Sequence, residues 1–448
     1  MKKKILALLL AVSMIATLSA CGQSGGGSDA AASGGDEATT ESSSDASTEK
    51  SGEGITLTLA MIGETTSKAR LDELLQRYTD ETGIKVDTIF ISGGWGEYCT
   101  KIEAMVGGGD DLDCAILAIE GVSKFYEMGI AEPIDDWIEA NPEEAQALLD
   151  DTSPSFQKVF QNEGKTYAFP FSYNNVVTHF NLNRLAEAGL EVPGEDWDLD
   201  EFLKYCEALT VEKDGVKEYA ISVPYGQYFC AEAWLYNNGA TYMNEDFTKS
   251  EINSPESVEI FQLWQDLIYK YGYAPIPEEN VEAIGQLING QTAMGTWGRW
   301  PTNNYLSEDF KDVSVQYLPS FSTNQQIGGV DGIFTLTSSK HKDEAKALAA
   351  WISNKNFAGE YLSAGNIPAS NSLAAEKIAE LGIPQNYEIF YTGSNTDIYK
   401  PVSAPPQFTE CSDIVLTAIS DICVNQADVQ ATLDKAAADM DAVLAENK

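Results

Sequence analysis

The chain has 448 residues, more than one hydrophobic core usually supports, so we expect two domains. It carries 69 acidic and 28 basic residues, a formal net charge of −41, and a surface of that sign makes nucleic acid a poor partner. With only two histidines, His179 and His341, neither a histidine-based metal site nor a Ser-His-Asp catalytic triad is expected.

Residues 1–20 are predicted to form a secretory signal peptide. Three lysines precede an apolar run that is short for a membrane span, and the small-residue ending "LSAC" follows. This ending resembles a bacterial lipobox, in which the cysteine is lipid-modified and becomes the mature N-terminus. We therefore predict lipidation of Cys21. The alternative is an ordinary signal peptide with a cysteine nearby by chance.

Residues 21–54 are predicted to be the lipidated cysteine followed by a disordered tether. Residues 22–54 contain no large apolar side chain, so this stretch cannot offset the entropy of ordering. The lipid would lie at one end of the tether and the folded protein at the other.

From residue 55 onward, predicted strands alternate with amphipathic helices. Strands are predicted over 55–62, 84–91 and 112–118, and apolar residues at helical spacing follow each of them. This order predicts an α/β fold with a parallel sheet and helices on both faces. Because ligands bind beyond the carboxyl ends of such strands, residues 63–64, Trp95 and 118–120 are expected near a site.

The same alternation restarts after residue 181. Asp198 with Glu201 is typical of a capping box, and Ser254 followed by Pro255 is typical of a helix start. Trp264 lies in the apolar stripe of that helix and is expected in the core. Two helices are predicted near 411–424 and 427–446. Six cysteines remain, and the sequence assigns no disulfide among them: Cys99, Cys114, Cys206, Cys230, Cys411 and Cys423.

The order of these segments over 55–448 resembles one protein family. The segments include "RYTDETGIKVDTIFI", "GGGDDLDCAIL", "GKTYAFPFSYNNVVTHFN", "INSPESVEIFQLWQDLI", "LINGQTAMGTWGRW" and "GGVDGIFTLTSSKHKDEAKALAAWI". They resemble the extracellular solute-binding lipoproteins of bacterial ABC importers, in the carbohydrate-binding group related to maltose-binding protein. One departure is Leu112, where the family often has proline.

The resemblance implies two Rossmann-like α/β lobes joined by a multi-strand hinge, a periplasmic-binding-protein type II-like fold. The first lobe would comprise 55–172 and about 332–385, and the second 173–331 and about 386–448. The chain would cross between them near 171–176, near 328–333 and within 380–405. The implied protein is a monomer on the outer face of the cell membrane. It has no cofactor and no catalytic activity, and it delivers a carbohydrate to the transmembrane subunits of a permease.

The resemblance places its stacking tryptophan at Trp300, in "AMGTWGRW". A sugar packs its C–H face on an aromatic ring while its hydroxyls take hydrogen bonds from polar side chains. Trp297 is an additional ring, and core packing is the alternative for both tryptophans. Arg299 would make either a surface ion pair or a ligand contact. A ligand contact would favour an acidic sugar such as a uronic acid as the ligand, since guanidinium binds carboxylate bidentately.

The remaining candidate ligand contacts follow from the same resemblance. Most lie after predicted strands or at the predicted hinge, and they comprise Glu64, Trp95, Glu120, Tyr173, Asn174, Tyr225, Gln227, Tyr228 and Asp331.

Two other functions are compatible with the sequence. A secreted glycoside hydrolase would need two carboxylates about 5–10 Å apart across a cleft. A sequence with 69 acidic residues does not exclude such a pair. The two-lobe pattern, without eight barrel units, argues against it. A binder of the same fold could instead take a peptide, a polyamine or a metal. The scarcity of histidine disfavours the metal.

Overall fold

The computed structural model describes residues 54–63, 68–279, 281–362, 365–392 and 399–446. The predicted signal peptide, Cys21, nearly all of the predicted tether and Glu64 lie outside these ranges.

The strands are short and are distributed along the whole described chain. They are β1 Thr56–Ile62, β2 Lys85–Ile91, β3 Cys114–Ala118, β4 Gln161–Asn162, β5 Lys165–Thr166, β6 Pro170–Asn175, β7 Val177–Asn181, β8 Val211–Lys213, β9 Val216–Ile221, β10 Thr292–Trp297, β11 Val313–Gln316, β12 Gln326–Thr335, β13 Ile367–Pro368 and β14 Tyr399–Pro401.

Helices connect most of the strands. They are α1 Lys68–Thr82, α2 Trp95–Gly108, α3 Ile119–Glu127, α4 Asp135–Ala140, α5 Pro142–Leu149, α6 Pro154–Val159, α7 Leu182–Ala188, α8 Leu199–Leu209, α9 Tyr228–Asn237, α10 Pro255–Tyr269, α11 Ala283–Ile288, α12 Thr302–Ser307, α13 Lys342–Ser353, α14 Lys355–Tyr361, α15 Asn371–Leu381, α16 Ile389–Thr392, α17 Phe408–Cys423 and α18 Val429–Ala445.

The larger sheet has the order β13-β6-β12-β3-β1-β2, with β14 pairing β12. Its strands β2, β1 and β3 are parallel, as predicted from the helix that follows each strand. Strand β12 is antiparallel to both of its neighbours, β3 and β6. The sheet is therefore mixed rather than purely parallel, because β12 returns late in the chain and inserts in the opposite direction.

The smaller sheet has the order β11-β7-β10-β9-β8. Its β9 and β10 are parallel, whereas β7 is antiparallel to β10 and β11. Each sheet contributes to its own cluster of buried apolar residues. The result is a two-lobe α/β fold.

The chain passes between the two sheets more than once. Strand β6 belongs to the larger sheet and β7 to the smaller one, with only Val176 between them. A second passage lies between β11 and β12. Later, Ile389 and Phe390 pack with the larger-sheet core, whereas Val402 and Ala404 pack with the smaller-sheet core. These passages support the predicted interrupted lobes, whose boundaries stay a prediction.

The helix boundaries follow local capping chemistry. The Asp198 carboxylate accepts a hydrogen bond from the Glu201 backbone N–H, and the Ser254 hydroxyl caps α10. Gly83 directly follows α1 with a positive φ of 83°, as expected of a terminating glycine. Trp264 is fully buried, which confirms its prediction as a core residue.

A buried carboxyl ties the returning chain to the smaller-sheet core. Glu232 of α9 is 0% exposed, and its Oε2 accepts a hydrogen bond of 2.9 Å from the Ser403 backbone N–H. Tyr228 donates from its hydroxyl to the Ser403 carbonyl, also at 2.9 Å. Burial raises the pKa of Glu232 to about 7, because the charged form loses its hydration.

Within the described part of the chain, no helix has the length and apolarity needed to cross a bilayer. The six cysteines found there are buried free thiols.

Candidate functional site

The strand ends predicted to face a ligand come from both sheets. In the larger sheet, β3 ends at Ala118, and Glu120 follows in the first turn of α3. In the smaller sheet, the segments after β9 and β10 carry residues 222–229 and 298–300. Their parallel strands end on the same edge, so these two segments are neighbours there.

The Trp-Gly-Arg-Trp segment forms the turn that leaves β10. The strand stops at Trp297, and α12 begins at Thr302. A Cβ atom on Gly298 would lie 2.2 Å from the Trp300 ring and 3.0 Å from Asn174 Oδ1. Only glycine therefore leaves room for the Trp300 ring to fold back over the turn.

A neutral histidine supports this turn. Burial lowers the pKa of His179 to about 4, so the imidazole is uncharged near neutral pH. Its Nε2 lies 2.9 Å from the Gly298 carbonyl oxygen, and its Nδ1 lies 2.9 Å from the Tyr305 hydroxyl. A carbonyl can only accept, so Nε2–H donates to Gly298 and Nδ1 accepts from Tyr305.

Trp300 is partly exposed and has an aromatic neighbour. The ring centroid of Phe229 lies 6.4 Å from that of Trp300, at an interplanar angle of 42°. A Cβ on Gly329 of β12 would lie 3.4 Å from the Phe229 ring, so this pair adjoins the larger sheet. Two partly exposed rings thus lie where the two sheets approach each other.

Arg299 is fully buried rather than solvent-facing. Its backbone N–H donates to Asn174 Oδ1 at 3.0 Å, and its Nη1 donates to the Asn366 carbonyl at 2.7 Å. The Nε and Nη2 groups are buried without hydrogen-bond partners. Burial lowers the pKa of the guanidinium to about 10. Arg299 therefore makes no surface ion pair and instead joins the Trp300 turn to the larger sheet.

A chain of side-chain hydrogen bonds continues from this turn into the larger sheet. Asn174 Nδ2 donates to Asn366 Oδ1 at 3.1 Å, and Asn366 Nδ2 donates to Ser172 Oγ at 3.4 Å. Ser172 donates through its hydroxyl to Asp331, at 2.7–2.8 Å from the two carboxylate oxygens. The turn and the hinge strands β6 and β12 are therefore linked by polar contacts.

Two carboxyl groups near this polar chain, those of Asp331 and Glu120, have raised pKa values. Burial raises the pKa of Asp331 to about 7, against the lowering effect of the Ser172 hydrogen bonds, and the nearby charge of Glu120 raises it further. Burial also raises the pKa of Glu120 to about 7, and its Oε2 is buried without a partner. Carboxyl groups with perturbed pKa values are enriched at functional sites.

A cavity of about 680 Å³ lies at the carboxyl ends of β9 and β10. This size falls within the usual range of small-molecule sites, about 300–1,000 Å³. Tyr225, Gln227, Trp297 and Asn304 line it. Trp297 is 2% exposed and packs edge-on against His179, with ring centroids 5.6 Å apart.

Some predicted contacts pack against residues outside this cluster. Tyr173 is a core residue whose hydroxyl donates to the Phe390 carbonyl at 2.8 Å. Tyr228 is also in the core, with its ring 4.5 Å from that of Tyr242. Trp95 begins α2 and packs edge-on against Tyr98. The structure thus brings together Trp300, Arg299, Asn174, Asp331 and Glu120, and it groups Trp297 with Tyr225 and Gln227.

Sequence reasoning missed four residues of this arrangement. Phe229 follows the predicted Tyr228, and the helix that starts at Tyr228 turns the two side chains to different directions. Asn366 and Ser172 complete the polar chain, but no local pattern marks them. Asn304 lies past the Trp300 turn, and its position in α12 was not predicted.

The described residues hold no group of three or more histidine, cysteine or acidic side chains arranged to bind a metal ion.

Comparisons with known proteins agree with this geometry. The family model for bacterial extracellular solute-binding proteins matches residues 63–356. A binding protein of Brucella abortus (strain 2308) is 23% identical over 377 residues, covering 78% of this chain and 84% of the relative.

Two solved structures share the two-lobe fold. An ABC substrate-binding protein from Listeria monocytogenes, in complex with cycloalternan, has a TM-score of 0.77 and 22% identity, covering 87% of this chain and 99% of that one. An ABC transporter solute-binding protein from Thermotoga lettingae TMO, bound with alpha-D-tagatose, has a TM-score of 0.73 and 18% identity, covering 87% and 100%. Since the family model spans more than half of the sequence, the chain belongs to the bacterial extracellular solute-binding protein family.

Proposed function

We propose that this protein is the substrate-binding lipoprotein of an ABC importer that captures a carbohydrate and delivers it to a membrane permease. The ligand is a mono- or oligosaccharide held where the two lobes meet. The protein performs no chemistry on it.

The observation that carries this proposal is the pair of partly exposed rings beside the buried polar chain. Trp300 and Phe229 offer apolar ring faces. Asn174 accepts a hydrogen bond from the same turn, and the polar chain continues from it through Asn366 to Asp331. A sugar matches both, since its C–H face packs on rings and its hydroxyls need hydrogen-bond partners. The sugars bound in the Listeria and Thermotoga structures support the same ligand class.

Ligand capture would act through closure of the two lobes. A ligand that contacts both sheets stabilises the closed form by its differential affinity for closed over open. The Trp300 turn suits this role, because it leaves the smaller sheet and is hydrogen-bonded to Asn174 of the larger one.

The anchoring part of the proposal rests on residues 1–54. Cys21 would carry the lipid, and the segment after it would span the distance to the folded protein. The mature protein would then lie on the extracellular face of the membrane.

The test is a calorimetric and thermal-shift screen of the purified chain against neutral, acidic and reduced saccharides, with a peptide panel as comparison. We expect saturable binding of at least one saccharide, which is recovered chemically unchanged. Binding of peptides alone would refute the carbohydrate assignment. Turnover of saccharide in excess over protein would refute the assignment as a binding protein.

A further inference from the structure

We propose that the site selects an uncharged saccharide and discriminates against the matching uronic acid, through the carboxylates around the cavity at the ends of β9 and β10. This inference rests on the proposed function, and it adds the charge class of the ligand.

The cavity has the chemistry of a sugar subsite. Tyr225 supplies a partly exposed ring, Trp297 borders the cavity although its side chain is buried, and Gln227 and Asn304 supply amides that both donate and accept hydrogen bonds. Residues 222–227, which lead to Phe229, form one wall of the cavity, and Thr296 and Trp297, which precede the Trp300 turn, form another. A saccharide that extends from the Trp300–Phe229 pair into this cavity would therefore contact an aromatic ring and amide groups at the pair and again in the cavity.

The charged side chains that line the cavity are all acidic. They are Glu278, Glu279 and Glu282, which are exposed and lie between α10 and α11. No lysine, arginine or histidine belongs to the cavity lining within the described ranges. Lys217 contacts one lining residue, with its ammonium 5.1 Å from the Tyr219 ring centroid, but it does not line the cavity itself.

These charges act over the whole cavity. A sphere of this volume would be about 11 Å across, comparable with the Debye length of about 8 Å at physiological ionic strength. A ligand carboxylate in the cavity is therefore not fully screened from the three glutamates. Two further acids belong to the larger sheet and the helix that follows it: Asp331 of β12 pairs with Ala118 at the end of β3, and Glu120 follows in the first turn of α3.

The contrary hypothesis depends on Arg299. Its Nε and Nη2 groups form the edge that binds a carboxylate bidentately, and both are unpartnered. However, the side chain is 0% exposed, and its Nη1 is bound to the Asn366 carbonyl. An anionic ligand would have to open this packing to reach the guanidinium, whereas the three glutamates line the cavity and are exposed.

The experiment compares matched ligands on the full chain by isothermal titration at fixed ionic strength. Neutral di- and trisaccharides of the gluco, galacto and manno series are each paired with the C6-carboxylate of the same sugar. We expect the best neutral ligand to bind at least tenfold more tightly than its uronate, a difference of about 1.4 kcal/mol. In Glu278→Gln/Glu279→Gln/Glu282→Gln, this ratio should fall at least threefold.

A matched control removes the same number of charges elsewhere. Glu139, Glu143 and Glu144 are exposed glutamates of α4 and α5, outside the cavity lining. Their triple glutamine variant should retain the wild-type ratio. The inference is overturned if a uronate binds as tightly as its neutral partner, or if both triple variants change the ratio equally. If no saccharide of either series binds, the proposed carbohydrate function fails as well.

Discussion

Replacing Glu232 with glutamine should make the stability of this protein less dependent on pH. Glu232 is 0% exposed, and burial raises its pKa from 4.5 to about 7. The folded chain therefore keeps a proton that the unfolded chain releases above pH 4.5. The stability that depends on a protonated Glu232 is present at low pH and is lost as the pH rises from about 4.5 to about 7.

The magnitude follows from that shift. At about 1.36 kcal/mol per pKa unit, the difference corresponds to roughly 3 kcal/mol of unfolding free energy across the window. Most of it, roughly 2–3 kcal/mol, falls between pH 5 and pH 8. Glutamine has a similar shape, does not titrate, and can still accept the Ser403 hydrogen bond.

The assay is urea unfolding of wild type, Glu232→Gln and the exposed control Glu143→Gln at several pH values between pH 5 and pH 8. The Glu232→Gln profile should be flatter than that of wild type by roughly 2–3 kcal/mol over this range, whereas the control should follow wild type. Parallel profiles for all three proteins would show that Glu232 is ionised in the folded state across the range, contrary to the reasoning.

Three further predictions concern the site and the anchor. Trp300→Ala should weaken saccharide binding by about 1–4 kcal/mol, with unliganded melting nearly unchanged because the ring is partly exposed; a large loss of unliganded stability would show a core role. Gly298→Ala should also weaken binding, measured by calorimetry, because the added methyl displaces the Trp300 ring; unchanged affinity would contradict the packing described for the turn. Cys21→Ala should move the protein from the membrane fraction to the medium in fractionated cells, and retention in the membrane would disprove the lipid anchor.

Much of the fold could be predicted from the sequence because its signals are local. The spacing of Leu71, Leu74, Leu75 and Tyr78 predicts α1, and those four side chains are the buried ones in that helix. Capping at Asp198 likewise depends on a few neighbouring residues. The mixed pairing of β12 could not be predicted in this way, because the direction in which a late strand inserts is decided by distant parts of the chain.

The candidate site was partly predictable for the same reason. The Trp300 turn can be predicted because Gly298 and Pro301 interrupt a predicted strand beside two tryptophans. Phe229 was missed because it follows Tyr228 in α9. The rotation between consecutive helical residues directs Tyr228 into the core and Phe229 towards Trp300. Asn366 could not be found, since its partners Asn174 and Arg299 are distant in sequence and only the hinge brings them together.

The position of β12 has a consequence for biogenesis. This strand pairs Ile333 with Ile116 and lies between β3 and β6, so those two strands lack their shared neighbour until most of the chain has been synthesised. Contacts between such distant residues form slowly, because loop closure must precede them. The larger sheet therefore stays incomplete until β12 has been synthesised, which is compatible with the predicted secretion, because a secretory channel passes unfolded chains.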